Sequence, residues 1–231
     1  MGYYNGMVWI TEMSAKMEKI PSFSTSCKCN EHCMKYREIE GSICEECYAN
    51  AVLDYRESLA EHLEENFNTL NLRILESYEL PHFNPLVTPY IRGESHGDFA
   101  SVNAVINAIN ICNENPKSQI AVWTKNPFLF KQAFDMGYEK PENMRIVVSS
   151  LFRNVVRDVS VYDFVDVVFT VYDMDFALEH DIKINCGTRH CINCGICYQK
   201  SNNGIIYVNE ILKKESKRYY KELEKRNAHR G

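Results

Sequence analysis

The distribution of its ten cysteines constrains this chain more than any other feature. Five cysteines lie within residues 27–47 and four within residues 186–197. The first ten residues contain no basic region followed by an apolar stretch, so no secretory signal is expected and the protein is predicted to be cytoplasmic. Cytoplasmic thiols are kept reduced, which argues against disulfide bonds. Clustered cysteines in a reducing compartment therefore predict metal binding.

The composition predicts a single folded domain over residues 1–231. Hydrophobic residues make up 45% of the chain, yet no run of eighteen apolar residues occurs, so no membrane span is expected. The net charge of −5 argues against a broad, non-specific grip on nucleic acid. Lys, Arg and Glu alternate over residues 213–230, which predicts a solvated helix face, with a local nucleic-acid or partner contact as the alternative.

Strand-like and helical segments alternate beyond Pro81. Residues 45–79 are predicted to be rich in helix, and residues 100–113 and 127–136 each form a further helix with an apolar face. The β-prone runs are 87–92, 119–124, 145–150, 165–171, 182–185 and 205–208. Runs that are apolar throughout predict strands covered on both faces, and their alternation with helices predicts an α/β fold with a parallel sheet. A partial barrel and an open doubly wound sheet both fit this pattern.

Polar residues follow most of these runs where the strands are expected to end. They occur at residues 92–98, 124–126, 149–150, 170 and 185–186. In parallel α/β folds the carboxyl ends of the strands carry the functional site. The sequence thus predicts one polar rim at that edge of the sheet.

The C-terminal cysteines form a compact C-x4-C-x2-C-x2-C motif. Short two-residue gaps let successive sulfurs point the same way, as the ligands of an iron–sulfur cluster must. Zinc is the rival metal, although structural zinc sites more often use two separated C-x2-C pairs. The predicted ligands are Cys186, Cys191, Cys194 and Cys197.

The N-terminal cysteines outnumber the ligands of one four-coordinate site. Cys44 and Cys47 form the firmest pair, at the start of a predicted helix, and which of Cys27, Cys29 and Cys33 joins them is left open by the spacing. A cluster held by three cysteines leaves one iron open to bind and activate a ligand. Full ligation suits electron transfer or structure instead.

Three other residues near these patterns have simpler interpretations. His32 and His190 lie inside the two cysteine segments and are expected to flank the metal sites, with ligation as the alternative. Cys112 lies on the apolar face of a predicted helix and is expected to be a core cysteine.

Several motifs, in order along residues 27–198, resemble those of the phage "gene product 88" family and its relatives in mobile elements. The matching elements are C-x2-C-Y-A at 44–49, Gly-Asp-Phe at 97–99, a strand ending in Thr-Lys at 124–125, an Asn at 143 before a strand ending in Ser at 149–150, and the cysteine-rich loop at 186–197. These families in turn resemble radical S-adenosylmethionine enzymes. The resemblance implies a partial parallel β/α barrel with cluster-binding loops at 27–47 and 186–197.

The same resemblance implies cofactors and partners. A catalytic 4Fe–4S cluster at the N-terminal cysteines would bind S-adenosylmethionine, and reductive cleavage of that cofactor would give a radical that takes hydrogen from a substrate. A second 4Fe–4S cluster at the C-terminal cysteines would be auxiliary. Flavodoxin or ferredoxin would supply electrons in the host cytoplasm, and a nucleotide or nucleic acid is the suggested substrate. The implied cofactor-binding residues are Gly93, Glu94, Asp98 and Lys125.

The sequence leaves three functions open. The first is a radical S-adenosylmethionine-like enzyme with two iron–sulfur clusters. The second is an iron–sulfur electron carrier or redox sensor with both clusters fully ligated. The third is a zinc-stabilised phage binding protein.

Overall fold

Eight strands form a single sheet in which spatial order equals chain order. The computed structural model describes residues 1–201 and 204–228. Strands β1 to β3 form an antiparallel meander, and β3 to β8 run parallel to one another. The strands are β1 Gly2–Asn5, β2 Val8–Glu12, β3 Pro21–Phe23, β4 Tyr90–Gly93, β5 Gln119–Thr124, β6 Met144–Ser149, β7 Val167–Tyr172 and β8 Ile206–Ile211.

Helices connect most of the parallel strands. The α-helices are α1 Glu31–Arg37, α2 Tyr48–Tyr55, α3 Glu57–Leu72, α4 Val102–Glu114, α5 Phe128–Asp135, α6 Met174–Glu179, α7 Cys191–Cys194 and α8 Ser216–Ala228. Short 3₁₀ turns occur at Ala15–Met17, Ser77–Glu79 and Ile196–Tyr198. In the part of the chain that the structure describes, no helix is long and apolar enough to cross a membrane.

The strand order confirms an α/β fold and shows that the parallel strands are added in one direction. A doubly wound sheet needs a point at which the strand order reverses. From β3 to β8 each strand instead adds to the same side of the previous one. The sheet is not closed into a barrel, because β1 and β8 each pair with one neighbour among the described strands.

The two faces of the sheet are covered by different parts of the chain. Ile120 and Val122 of β5 point into a large apolar cluster with α4 and α5, where Phe130 is fully buried. Alternate residues such as Ala121 point to the opposite face, as side chains on a strand must. There they meet Tyr198 and neighbouring residues of the C-terminal cysteine segment. A cysteine-rich loop, rather than a helix layer, covers the second face.

An ion pair indicates that the sheet curls around this loop. Lys16, in the turn before β3, pairs with Glu210 on β8. In a flat sheet β3 and β8 would lie about 24 Å apart, since neighbouring strands are spaced by about 4.8 Å. Side chains near opposite edges meet here, so the face that holds the cysteine loop is the inner, concave one.

Most predicted strands are confirmed, with small shifts at their ends. The run 119–124 matches β5, and the runs 145–150, 165–171 and 205–208 correspond to β6, β7 and β8. The run 87–92 forms a strand only from residue 90. The helix-rich stretch 45–79 contains α2 and α3, separated at Arg56, and Cys112 is fully buried as expected. The predicted basic tail lies on α8, and its residues 229–230 fall outside the described residues.

The predicted strand at 182–185 is wrong. Ile182 and Ile184 instead pack beside α6 and α8. Asn185 takes the place of a strand partner, because its side-chain oxygen accepts from Asn209 N at 2.9 Å and its amide donates to Tyr207 O at 3.0 Å. The side chain of Asn185 thus forms hydrogen bonds with two backbone groups of β8 that a neighbouring strand would otherwise pair with.

A buried asparagine on α4 provides a test of this packing. Asn107 accepts a hydrogen bond from Leu75 N and donates to Leu70 O and Arg73 O, all at 2.8–2.9 Å. Asn107→Ala leaves these backbone groups unpaired, so the free energy of unfolding in urea should fall by about 3 kcal/mol. Asn110→Ala, at a half-buried position of the same helix, should change it by less than about 0.5 kcal/mol. Equal effects of the two variants would contradict this role of Asn107.

Candidate metal centres

The N-terminal cysteine segment begins directly after the first parallel strand. Ser24, Thr25 and Ser26 continue β3 into the interior and are almost fully buried. Thr25 N and Thr25 Oγ1 donate to the carboxylate of Glu94 at 3.0 and 2.8 Å. These bonds fasten the start of the cysteine segment to the loop that follows β4.

That loop fits closely against Thr25. A Cβ atom at Gly97 would lie 2.5 Å from Thr25 O, so only glycine is accommodated there. Glu94 has a backbone φ of +58°, in the left-handed region. Burial raises the pKa of Glu94 to about 8, although the hydrogen bonds from Thr25 act in the opposite direction. The carboxyl group of Glu94 is therefore held inside the β3–β4 junction.

Helix α1 places the next cysteine over the same loop. The side-chain oxygen of Asn30 accepts from His32 N at 2.9 Å and from Cys33 N at 3.4 Å, which caps the helix. The amide of Asn30 donates to Asp98 O at 2.8 Å. One asparagine therefore orders the helix start and ties it to the end of β4.

Four of the five N-terminal cysteines converge. Cys33 and Cys47 act electrostatically on Cys27, Cys44 acts on Cys33, and Cys47 acts on Cys44, while Cys27 and Cys47 share a hydrogen bond. None of the four has Cys29 among the principal groups acting on it. These electrostatic contacts favour the other four thiols over Cys29 as the candidate ligand group, which the sequence spacing did not.

The surroundings of the four thiols differ in how strongly they stabilise the thiolate. Burial raises the pKa of Cys33 and of Cys44. A hydrogen bond from Cys27 lowers the pKa of Cys47, and the N–H groups of Ala49 and Asn50 at the start of α2 add to this effect. Neither N–H group forms a capping hydrogen bond with the Cys47 sulfur. Cys47 is therefore the member of the group whose thiolate is most favoured.

Asp98 and Lys125 both lie beside these thiols, but they play different parts. One carboxylate oxygen of Asp98 accepts from Thr124 Oγ1 at 2.7 Å, and the other accepts from Lys125 N at 2.7 Å. Asp98 therefore joins the ends of β4 and β5. The Lys125 side chain lies near Cys33, Cys44 and Cys47: burial lowers its pKa, but the thiols and Asp98 outweigh burial and raise it.

A hydroxyl network extends the site toward the middle of the sheet. Ser22, Ser24 and Ser95 share hydrogen bonds of 2.8–2.9 Å, and Ser95 Oγ lies 2.9 Å from His96 Nδ1. Burial lowers the pKa of His96 to about 4, helped by nearby arginines, so its imidazole is neutral. Tyr48, next to Cys47, donates to Ser95 O at 2.8 Å. Through Tyr48, this network connects Cys47 to β3 and to the loop after β4.

The C-terminal cysteines form a second group, on the inner face of the sheet. Cys197 is under the electrostatic influence of Cys186, Cys191 and Cys194, and burial raises its pKa to about 12. Gly195, in the left-handed conformation, ends α7 and turns the chain back between the last two cysteines. Tyr198 then stacks on Tyr90 of β4 with ring centroids 4.4 Å apart.

Two cations from distant parts of the chain face this second group. Lys16 Nζ lies 3.8 Å from Cys186 Sγ. Arg92 acts on Cys191 and Cys197, lowering the pKa of both against the larger effect of burial. Lys16 is a site residue that sequence reasoning missed, and no local signal marks it, because it precedes Cys186 by 170 positions.

The structure also locates the remaining predicted site residues. Gly93 lies at the end of β4, where a Cβ atom would come within 2.8 Å of Phe23 and 2.9 Å of Val122, so it is a packing position. His32 Nε2 is buried without a hydrogen-bond partner among the described residues. The carbonyl of His190 accepts from Asn193 N and Cys194 N at the start of α7.

The thiols of both groups are suitable ligands for a metal cluster, but their spacing does not suit a single metal ion. Thiolates are the ligands of iron–sulfur clusters and of structural zinc. Within the described residues, no three His, Cys, Asp or Glu side chains meet closely enough to hold a single metal ion. Comparisons with protein-family models, curated proteins and solved structures give no match. The site itself is therefore the basis for assigning a function.

Asp98→Asn tests whether this carboxylate organises the rim. An amide supplies one acceptor oxygen, so its NH₂ group would face the backbone N–H of either Phe99 or Lys125, each of which now donates to a carboxylate oxygen. The free energy of unfolding in urea should fall by about 2 kcal/mol. Asp135→Asn, which removes an exposed ion pair with Lys131 on α5, should change it by at most about 0.5 kcal/mol. Similar small changes in both variants would contradict the assignment.

Proposed function

We propose that this chain is an iron–sulfur enzyme of the radical S-adenosylmethionine type. The observation that carries the proposal is the placement of the N-terminal thiols. They lie at the carboxyl edge of a sheet of six parallel strands wound in one direction, directly after the first of those strands. The loop of the next strand, with Glu94 and Asp98, lies against them. This arrangement is the one that the resemblance to a partial β/α barrel implies.

The residues present fit two clusters. Cys33, Cys44 and Cys47, with Cys27 beside them, would hold the first 4Fe–4S cluster, and Cys186, Cys191, Cys194 and Cys197 would hold the second. Cluster ligands must be deprotonated, and a nearby cation favours deprotonation. Lys125 supplies that charge at the first group, and Lys16 and Arg92 supply it at the second.

With S-adenosylmethionine bound, the first cluster would supply a carbon-centred radical after uptake of one electron. The chain's own residues serve this chemistry by placement and enclosure. Asp98 fixes Lys125 beside the thiols through its backbone N–H. The C-terminal loop covers part of the inner face of the sheet with apolar side chains, which would limit the access of water to it. Gly93 and Glu94 remain proposed contacts of the cofactor, with the Glu94 carboxylate bound to Thr25 in the conformation described.

An electron-transfer protein is the second candidate, and one observation favours it. Four thiols converge in the N-terminal group, which is enough for full ligation. The spacing after Cys33 also departs from the C-x3-C-x2-C motif usual in radical S-adenosylmethionine enzymes, because ten residues separate Cys33 from Cys44. The need for Cys27 separates the two candidates.

Metal analysis of the anaerobically purified protein is the first test. The enzyme proposal predicts about eight irons per chain, with matching sulfide. The electron paramagnetic resonance signal of the reduced protein should change when S-adenosylmethionine is added, and 5′-deoxyadenosine should form. About eight irons without either response would favour the electron carrier. A colourless protein containing zinc would overturn both iron–sulfur proposals.

Serine substitutions then identify the ligands. Cys44→Ser and Cys47→Ser should each leave about four irons per chain, because the C-terminal group is untouched. Cys29→Ser is the matched control within the same segment and should keep the full iron content. Cys27→Ser should also keep it if three cysteines hold the cluster, and loss of the response to S-adenosylmethionine in Cys29→Ser would contradict this assignment.

A further inference from the structure

The C-terminal thiols lie between two cations that the fold brings from outside their own segment. Lys16 belongs to the 3₁₀ turn that connects β2 to β3, and the first residue of that turn, Ala15, has a φ of +54°. Such a conformation is costly for a residue other than glycine. The turn places Lys16 Nζ 3.8 Å from Cys186 Sγ and in an ion pair with Glu210.

Arg92 approaches the same thiols from the sheet. Its guanidinium lies 3.9 Å from the centre of the Trp123 ring, and Nη1 lies 3.4 Å from Met17 Sδ. Its Nε donates to Glu94 O at 3.4 Å. Together with Trp123, Arg92 lines a small cavity whose other walls include all four C-terminal cysteines. A guanidinium held on three sides has little freedom to move away from them.

We propose that the positive charges of Lys16 and Arg92 raise the reduction potential of the cluster bound by the C-terminal cysteines. The inference rests on the proposed function, because it requires an iron–sulfur cluster at these thiols. In the half-reaction the cluster gains one electron from a one-electron donor protein, which is oxidised, and no bond forms or breaks. The reduced form carries one more negative charge, so nearby positive charge stabilises it.

Enclosure makes this effect larger than it would be at the protein surface. Net charge and solvent exposure are among the properties that set the potential of such clusters. The cysteine segment packs against Trp123, Val147 and Val208 on the inner face, and its cysteines are half-buried, so water screens charge there less than at an exposed surface. Glu210 lies on the same side as Lys16 and opposes it, raising the pKa of Cys186 where Lys16 lowers it.

The proposal predicts the sign of the change in reduction potential for substitutions at Lys16, Arg92 and Glu210. Lys16→Met and Arg92→Gln each remove a positive charge and should make reduction of the C-terminal cluster harder. At a fixed potential the ratio of reduced to oxidised cluster should fall about tenfold, which equals about 59 mV for one electron. Glu210→Gln removes a negative charge and should shift the potential in the opposite direction. Arg92→Lys keeps the charge and should stay near the wild-type value.

The measurement is a potentiometric titration of the anaerobically purified full-length protein, followed by electron paramagnetic resonance. The Cys44→Ser variant identifies which signal belongs to the C-terminal cluster. Lys131→Met is the control, because it removes a positive charge from an exposed ion pair on α5. It should leave both potentials unchanged.

The outcomes separate this inference from the proposed function. Wild-type protein without iron would overturn the proposed function and with it this inference. Full iron content with unchanged potentials in Lys16→Met and Glu210→Gln would overturn the inference alone. Shifts of the same sign in those two variants would do so as well, because they would indicate a structural disturbance. If Arg92→Gln fails to fold, the half-buried pair of Lys16 and Glu210 still decides the question.

Discussion

The hydrogen bonds that join the carboxyl ends of β3, β4 and β5 are the constraint on which the rest of the site depends. Glu94 binds Thr25 after β3, and Asp98 binds Thr124 and Lys125 at the end of β5. Both carboxyl groups come from the loop of residues 94–101 that connects β4 to α4. Because that loop is held from both sides, the ends of β3 and β5 position the cysteine segment that lies against it.

The sequence is informative where local pattern decides the structure. Strands β5, β6 and β7 are apolar throughout, since both faces are covered, and this pattern predicted them well. The hairpin of β1 and β2 was not predicted, although Gly6, with φ +62°, opens its two-residue loop, and glycine at that position is a recognised hairpin signal. Residues 182–185 misled the prediction because Asn185 pairs with β8 through its side chain.

The composition of the site depends on contacts that no local pattern contains. The cysteines were identified from spacing, but the separation of Cys29 from the other four required the path of α1 and of the loop after it. Lys16 reaches Cys186 only because the sheet curls, and curvature is a property of all the strands together. Asp98 was expected to contact a cofactor, whereas both its carboxylate oxygens accept hydrogen bonds within the protein.

The two cysteine groups occupy environments that suit different tasks. The first lies at the edge of the sheet, where the loops after β3, β4 and β5 meet. The second covers the inner face, and α7, which carries two of its cysteines, buries no residue of its own. The four cysteines are only half-buried, and Tyr198, stacked on Tyr90, is the buried side chain that anchors the segment to the sheet. Under the proposed function, a cluster bound by these four thiols would couple metal binding to the ordering of this segment on the inner face.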